Sequence, residues 1–179
     1  MSLRSEGLVS LAKSMLKYHH GHTLAGTKTE RPHTMTKEIK TEILINAAPQ
    51  KIWGVFTDFG NYPNWNPFIR SVTGEVAVGN TVIARLLPPG AKGMTFKPTI
   101  LVCETNKEIR WLGHLLFAGL FDGEHTFELI DNGDGTTTFK QSEKFNGILV
   151  PLFKKMIDEN TTQGFNAMNK KLKELVEQG

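Results

Sequence analysis

The sequence lacks features that define several classes of protein. Its 179 residues include one cysteine, Cys103, which excludes an internal disulfide framework and favours a reducing compartment, so we expect a cytoplasmic location. No apolar run approaches the ~18 residues of a membrane-spanning helix, so no transmembrane segment is expected. The chain also lacks a nucleophile elbow, a glycine-rich phosphate loop and the spacing of metal ligands. We therefore predict no cofactor and no metal.

Charge is concentrated in the first 35 residues. The whole chain has a net charge of +3, and residues 1–35 carry the same +3, from five lysines and arginines against two glutamates. The remainder is neutral, so its charge gives no indication of a nucleic acid partner. We interpret residues 1–35 as a basic, poorly ordered N-terminal extension. Organellar targeting by this segment, or docking of an amphipathic helix over Leu8–Leu16, stays open.

Residues 36–179 have the patterns of one domain. Apolar and polar residues alternate over Lys37–Asn46, which predicts a half-buried strand. A short helix opens at Pro49, and six further strands follow, one of them over Phe96–Glu104. Residues 151–176 then show apolar side chains at helical spacing with lysines opposite, which predicts a helix of roughly 40 Å. Gly164 inside it marks a bend or a close approach. Such a helix needs a broad apolar surface, so we predict an α+β fold: a curved antiparallel sheet of about six to seven strands wrapped around it.

The last predicted hairpin, Phe121–Ile130 and Thr136–Asn146, directs three polar side chains toward the helix. His125, Gln141 and Glu143 share the inward face with phenylalanines, and the loop length places His125 opposite Gln141 or Glu143. Because buried polar groups need partners, they favour a wet or ligand-filled cavity over a self-satisfied pair in a packed core. An apolar cavity would raise the pKa of Glu143 and make it the candidate catalytic acid or base, with His125 as partner.

Two loops are expected at the mouth of this cavity. Pro88–Met94 is rich in proline and glycine and predicts a mobile loop. Leu115–Leu120 is an apolar run where a polar turn would be expected. It is consistent with a pocket rim, a lid, a membrane-touching tip or a buried loop.

Several motifs in this order resemble one superfamily. They are Ile45–Trp53, Tyr62–Pro67, Ile109–Trp111, Gly123–Phe127 and Gly135–Phe139, followed by the closing helix. Over residues 38–177 the chain resembles the SRPBCC (START-like, helix-grip) superfamily and is most similar to its polyketide cyclase/dehydrase and lipid-transport family. The resemblance implies a helix-grip fold and a START-like ligand-binding domain over residues 36–179. Its members bind lipids, sterols, hormones and polyketides, and a minority catalyse cyclisation, dehydration or hydrolysis. Ala48 departs from the family, which usually has a capping Ser, Thr or Asp there.

These observations predict the binding or carrying of a small hydrophobic ligand, a lipid, polyketide or aromatic, between sheet and helix. Two alternatives stay open: a polyketide cyclase/dehydrase-like enzyme using Glu143 and His125, and an interaction module like the chaperone-ATPase activators. The expected ligand-binding residues are Phe56, Trp65, Trp111, His125, Phe127, Phe139, Gln141, Glu143 and Phe165. We expect no nucleic acid partner, at most a transient membrane contact, and a monomer or weak dimer.

Overall fold

The computed structural model of the protein describes residues 35–90 and 92–179. Its strands are β1 (Met35–Ile45), β2 (Ile69–Thr73), β3 (Ile83–Leu86), β4 (Met94–Phe96), β5 (Thr99–Glu104), β6 (Glu108–His114), β7 (Asp122–Asp131) and β8 (Thr137–Gly147). Its helices are α1 (Pro49–Thr57), a 3-10 turn (Phe59–Asn61), α2 (Tyr62–Trp65), a π-helix (Met156–Thr161) and α3 (Thr162–Gln178). The extension predicted for residues 1–35 lies outside the described residues, except for Met35.

The strands form two antiparallel sheets around the C-terminal helix. Five strands follow the order β1–β8–β7–β6–β5, and three follow the order β2–β3–β4. The sheets meet where the N–H of Val82 donates to the carbonyl of Pro98 at 3.0 Å and that of Ile100 donates to Asn80 at 2.9 Å. Helix α3 packs against β1 and α1. The predicted α+β fold, with an antiparallel sheet gripping a long C-terminal helix, is confirmed.

The described residues contain eight strands rather than six to seven because one predicted strand is divided. The sequence predicted a single strand over Phe96–Glu104, whereas β4 ends at Phe96 and β5 begins at Thr99. Pro98 lies between them and has no N–H to donate to a ladder. The chain therefore leaves the smaller sheet and enters the larger one at this proline.

The C-terminal helix also differs from the prediction at its start. Residues 148–153 form turns, so Pro151 precedes the helix instead of opening it. The helix then widens into the π-helix before α3 begins, a change that hydrophobic spacing does not reveal. The apolar stripe is confirmed along α3, where Phe165, Met168, Leu172 and Val176 are all fully buried. Leu152 and Leu175, which the prediction included in the stripe, are exposed instead.

Gly164 sets how closely α3 approaches the smaller sheet. A Cβ at this position would overlap the aromatic ring of Phe68. The ring therefore rests on the helix backbone, and it also meets Phe165 edge-on with centroids 5.4 Å apart. Of the two possibilities predicted for Gly164, the structure shows the close approach. Among residues 35–90 and 92–179, no helix combines the length and the apolar character that crossing a bilayer requires.

Candidate ligand-binding site

A cavity of about 60 Å³ lies between the sheets and the beginning of the C-terminal helix. Its wall is mostly aromatic and aliphatic, and its charged or polar side chains are those of His125, Glu143 and Thr161. The apolar side chains around it are Phe68, Ala84, Leu86, Pro88, Met94, Phe96, Pro98, Trp111, Phe121, Phe145 and Met156, and two glycines, Gly113 and Gly123, complete it. The interior therefore combines an apolar surface with few polar groups, which is the usual form of a small-molecule site.

Glu143 enters the cavity from β8, directly opposite His125 on β7. A Cβ at Gly123 would stand 2.6 Å from Oε1 of Glu143, so the glycine leaves the space that the carboxyl group occupies. Glu143 has no hydrogen-bond or ion-pair partner among residues 35–90 and 92–179. Burial raises the pKa of Glu143 from 4.5 to about 8. The carboxyl is therefore mostly protonated at neutral pH and can donate a hydrogen bond.

His125 lies on the same inner face but is held by aromatic rings. Its ring stacks on Phe127 at a centroid distance of 4.0 Å and on Phe165 at 4.5 Å. Nε2 lies 3.2 Å from Oε1 of Gln141, which assigns the proton to Nε2 because the amide oxygen can only accept. Burial lowers the pKa of His125 from 6.5 to about 3, and the hydrogen bond that His125 donates to Gln141 opposes this shift. The imidazole is thus neutral at physiological pH.

Gln141 belongs to a buried network that ties β8 to α3. Its Nε2 donates to Oδ1 of Asn169 at 2.6 Å, and Nδ2 of Asn169 donates to Oγ1 of Thr41 at 3.1 Å. Gln141 and Asn169 are 0% and 2% exposed, so these bonds satisfy polar groups that water cannot reach. The amide of Gln141 is therefore engaged by protein groups on both sides, whereas the carboxyl of Glu143 is not.

The structure brings three of the nine predicted ligand-binding residues to the cavity. These are Trp111, His125 and Glu143. The others lie elsewhere: Phe56, Phe127, Phe139, Gln141 and Phe165 are buried in the packed core, and Trp65 is half-buried at the end of α2, with its ring 5.1 Å from that of Tyr62. The ligand-binding assignment of all nine residues stays a prediction. The opening expected at Pro88–Met94 borders the cavity, whereas no residue of Leu115–Leu120 lines it.

Several lining residues are not among the nine predicted ligand-binding residues. Phe121, Gly123 and Phe145 share the inward parity of His125 on the last hairpin, so this signal was present in the sequence. Met156 and Thr161 lie at the two ends of the π-helix. The π-turn shifts the helix surface relative to a regular α-helix, and an α-helical spacing therefore gives no guide to which of these side chains faces the cavity.

The cavity is much smaller than a typical ligand pocket of about 300–1,000 Å³. A drug-sized ligand therefore requires its walls to move. The segment that joins β3 to β4 borders the cavity through Pro88 and belongs to neither strand. It is connected to Phe68 through the N–H of Leu87 at 2.7 Å and to the π-helix through Nδ2 of Asn160, which donates to the carbonyl of Pro89 at 2.6 Å. Met94 and Met156, with flexible unbranched side chains, stand beside it.

The two sheets, the gripped C-terminal helix and the cavity beneath it define a helix-grip protein. A model of the family described as "Polyketide cyclase / dehydrase and lipid transport" matches residues 36–177, and the chain belongs to this family. Membership supports a role in binding a hydrophobic ligand or in cyclase chemistry. The comparison with curated proteins finds no match. In the part of the chain that the structure describes, no three His, Cys, Asp or Glu residues cluster as metal ligands would.

Solved structures with the same fold come from distant relatives. Norcoclaurine synthase from Thalictrum flavum, in complex with dopamine and hydroxybenzaldehyde, superposes with a TM-score of 0.65 at 18% identity, covering 88% of this chain and 96% of that one. An aromatase/cyclase from a Streptomyces species has a TM-score of 0.65 at 12% identity, covering 80% and 95%. A START superfamily protein from Mycobacterium smegmatis has a TM-score of 0.62 at 18% identity, covering 79% and 97%. These similarities establish the fold.

Proposed function

We propose that the protein binds and carries a small, largely apolar molecule in the cavity, and that Glu143 recognises an oxygen atom of this ligand. The observation that carries the proposal is the unpartnered carboxyl of Glu143 within an apolar wall. A fully buried polar group without a partner costs about 1–3 kcal/mol, and the half-buried carboxyl of Glu143 bears part of this cost. A ligand that accepts a hydrogen bond from the protonated carboxyl would remove it.

The environment of Glu143 selects for a particular ligand chemistry. Because the carboxyl is protonated at neutral pH, it offers one O–H donor to a carbonyl, hydroxyl or ether oxygen. The rings of Trp111, Phe121 and Phe145 line the same cavity and offer apolar contact to a ligand. A ligand with a hydrocarbon or aromatic body and one oxygen-bearing end fits both features.

Binding of a fluorescent fatty acid or a naphthalene-sulfonate dye tests the proposal. We expect saturable binding at about one site per chain. Glu143→Gln retains a neutral donor, so binding at pH 7 should fall less than about tenfold, whereas Glu143→Leu loses the hydrogen bond. At pH 9 or above the wild-type carboxyl is ionised and should bind the dye more weakly than Glu143→Gln does. The matched control is Glu42→Gln, which changes an exposed glutamate of β1. Absence of saturable binding by a compact native protein would favour the interaction module instead.

A second candidate function is catalysis by proton transfer, which the pKa of Glu143 near 8 favours. General acids and bases work best when their pKa lies near the operating pH. His125, with a pKa of about 3, is too weak a base for this role near pH 7, so Glu143 is the group that would transfer the proton. For an enzyme, Glu143→Gln should leave the binding of a polyketide-like substrate nearly intact and lower turnover about 10²–10⁴-fold. Unchanged turnover by this variant would exclude the catalytic role.

A further inference from the structure

Four large apolar side chains are exposed together on two adjacent segments. Leu116 and Phe117, in the segment that follows β6, are 49% and 48% exposed. Ile148 and Leu152, in the turns that follow β8, are 48% and 53% exposed. We call these four residues the apolar tip. Single exposed apolar residues are ordinary, whereas a group on one surface marks an interaction site.

Backbone hydrogen bonds join the two segments of the apolar tip. The N–H of Ile148 donates to the carbonyl of Gly119 at 3.3 Å, and that of Leu149 donates to Leu120 at 3.0 Å. Leu116 has a φ of 66°, in the left-handed region that a residue with a bulky side chain rarely adopts. The turn keeps this conformation although about half of the Leu116 side chain is exposed to water. Local packing therefore gives no reason for the exposure of Leu116.

Two lysines that are unpaired within the described part of the chain stand beside the apolar tip. Lys154 and Lys155 follow Leu152 and are both exposed, and neither has a hydrogen-bond or ion-pair partner among residues 35–90 and 92–179. The nearby carboxylates are mostly engaged. Asp122 bonds to His114 at 2.7 Å and accepts from the N–H of Gly119, and Asp158 pairs with Lys37 at 2.6 Å. Glu159, one turn beyond Lys155, is exposed and has no such partner among the same residues, so two unpaired lysines stand beside the tip against one unpaired carboxylate.

We propose that the apolar tip docks on the surface of an anionic lipid bilayer. Exposed Leu, Ile and Phe side chains can enter the region between headgroups and acyl chains, and adjacent lysines are attracted to anionic headgroups. The charge distribution favours a bilayer over a second copy of the chain, because two copies meeting at the tip would bring four unpaired lysines of the described part of the chain together against only two unpaired carboxylates, those of Glu159. Both segments continue into the cavity wall, at Phe121 and Met156. If the proposed function holds, docking would place the ligand cavity beside the membrane.

Flotation of the full chain with lipid vesicles tests the docking surface. The vesicles consist of phosphatidylcholine alone or of phosphatidylcholine with phosphatidylserine. We expect preferential binding to the anionic vesicles that weakens with added salt. Leu116→Ser combined with Phe117→Ser should lower the apparent binding constant at least tenfold. Lys154→Gln combined with Lys155→Gln should lower it about 30-fold, at roughly fivefold for each lysine near the surface.

Matched variants separate the tip from general effects of charge and hydrophobicity. Val78→Ser removes an equally exposed apolar side chain elsewhere, and Lys170→Gln with Lys171→Gln removes two exposed charges near the other end of the helix. Both controls should bind as the wild type does. Residues 1–35 also carry a net +3, so wild-type binding that survives both sets of tip substitutions would overturn the proposal. The proposal would also be overturned if the wild type bound neither kind of vesicle, or if the only effect of the tip substitutions were to abolish a dimer. None of these outcomes depends on whether the cavity holds a ligand.

Discussion

Replacement of Glu143 by glutamine should change how the stability of the protein depends on pH. The folded-state pKa of Glu143 is about 8, above its ordinary value of 4.5, so between these pH values the folded protein holds a proton that the unfolded chain has lost. This contribution to stability is complete below pH 4.5 and is lost as the pH rises to 8. His125 acts in the opposite sense, because its folded pKa of about 3 lies below 6.5. Its contribution is complete above pH 6.5 and is lost as the pH falls toward 3.

The two residues therefore oppose each other between pH 4.5 and 6.5. Each contributes a slope of about 1.4 kcal/mol per pH unit, with opposite sign, so their effects nearly cancel in that window. Above pH 6.5 the Glu143 term alone remains, and it lowers the free energy of unfolding by roughly 2 kcal/mol up to pH 8. Over the whole interval from 4.5 to 8 its contribution is on the order of 5 kcal/mol. This is an upper limit, because Glu143 keeps part of its surface exposed in the cavity.

Urea unfolding of the wild type and Glu143→Gln at pH values from 4 to 9 measures this contribution. From pH 4.5 to pH 8, we expect the free energy of unfolding of Glu143→Gln to rise by several kcal/mol relative to that of the wild type. The variant should also lack the loss of stability above pH 6.5. Glu42→Gln, at an exposed site of β1, should not show this shift. A wild-type-minus-variant difference that stays constant over the whole range would show that burial does not keep Glu143 protonated, and the argument for a neutral donor in the cavity would fail.

Two further substitutions test how the helix is held. Asn169→Ala should lower the free energy of unfolding by about 1–3 kcal/mol, because Nε2 of Gln141 would keep only its 3.4 Å contact with the carbonyl of Phe165. Asn166→Ala, at an exposed position of α3, is the control, and equal losses in urea unfolding would contradict the network. Gly164→Ala should destabilise the protein by about 1–3 kcal/mol through overlap with Phe68, despite the better helix propensity of alanine. A more stable variant would show that Phe68 can move aside.

The sequence predicted the fold well where one periodicity governs a whole element. The alternation of apolar and polar residues predicted the bounds of β1 to within two residues at each end. The parity of the last hairpin predicted that His125 would lie opposite Gln141 or Glu143, and the register, which pairs His125 with Glu143, confirms this. The sequence did not reveal the division of a strand at Pro98 or the π-helix at Met156–Thr161. Both are local changes of backbone that leave the surrounding hydrophobic pattern intact.

The candidate site shows what periodicity cannot distinguish. Gln141 and Glu143 lie two residues apart on β8, so they share one face and satisfy the same inward pattern. Gln141 meets Asn169 of α3 and has its hydrogen bonds supplied by the protein. Glu143 lies farther along the strand, beside Gly123, in a cavity that Met156 and Thr161 of the π-helix also line, and no described residue bonds to its carboxyl. The difference between a packed core and a cavity therefore depends on where the helix passes over the sheet. That crossing is set by contacts such as Phe68 on Gly164, which join residues far apart in the chain and have no periodic signature.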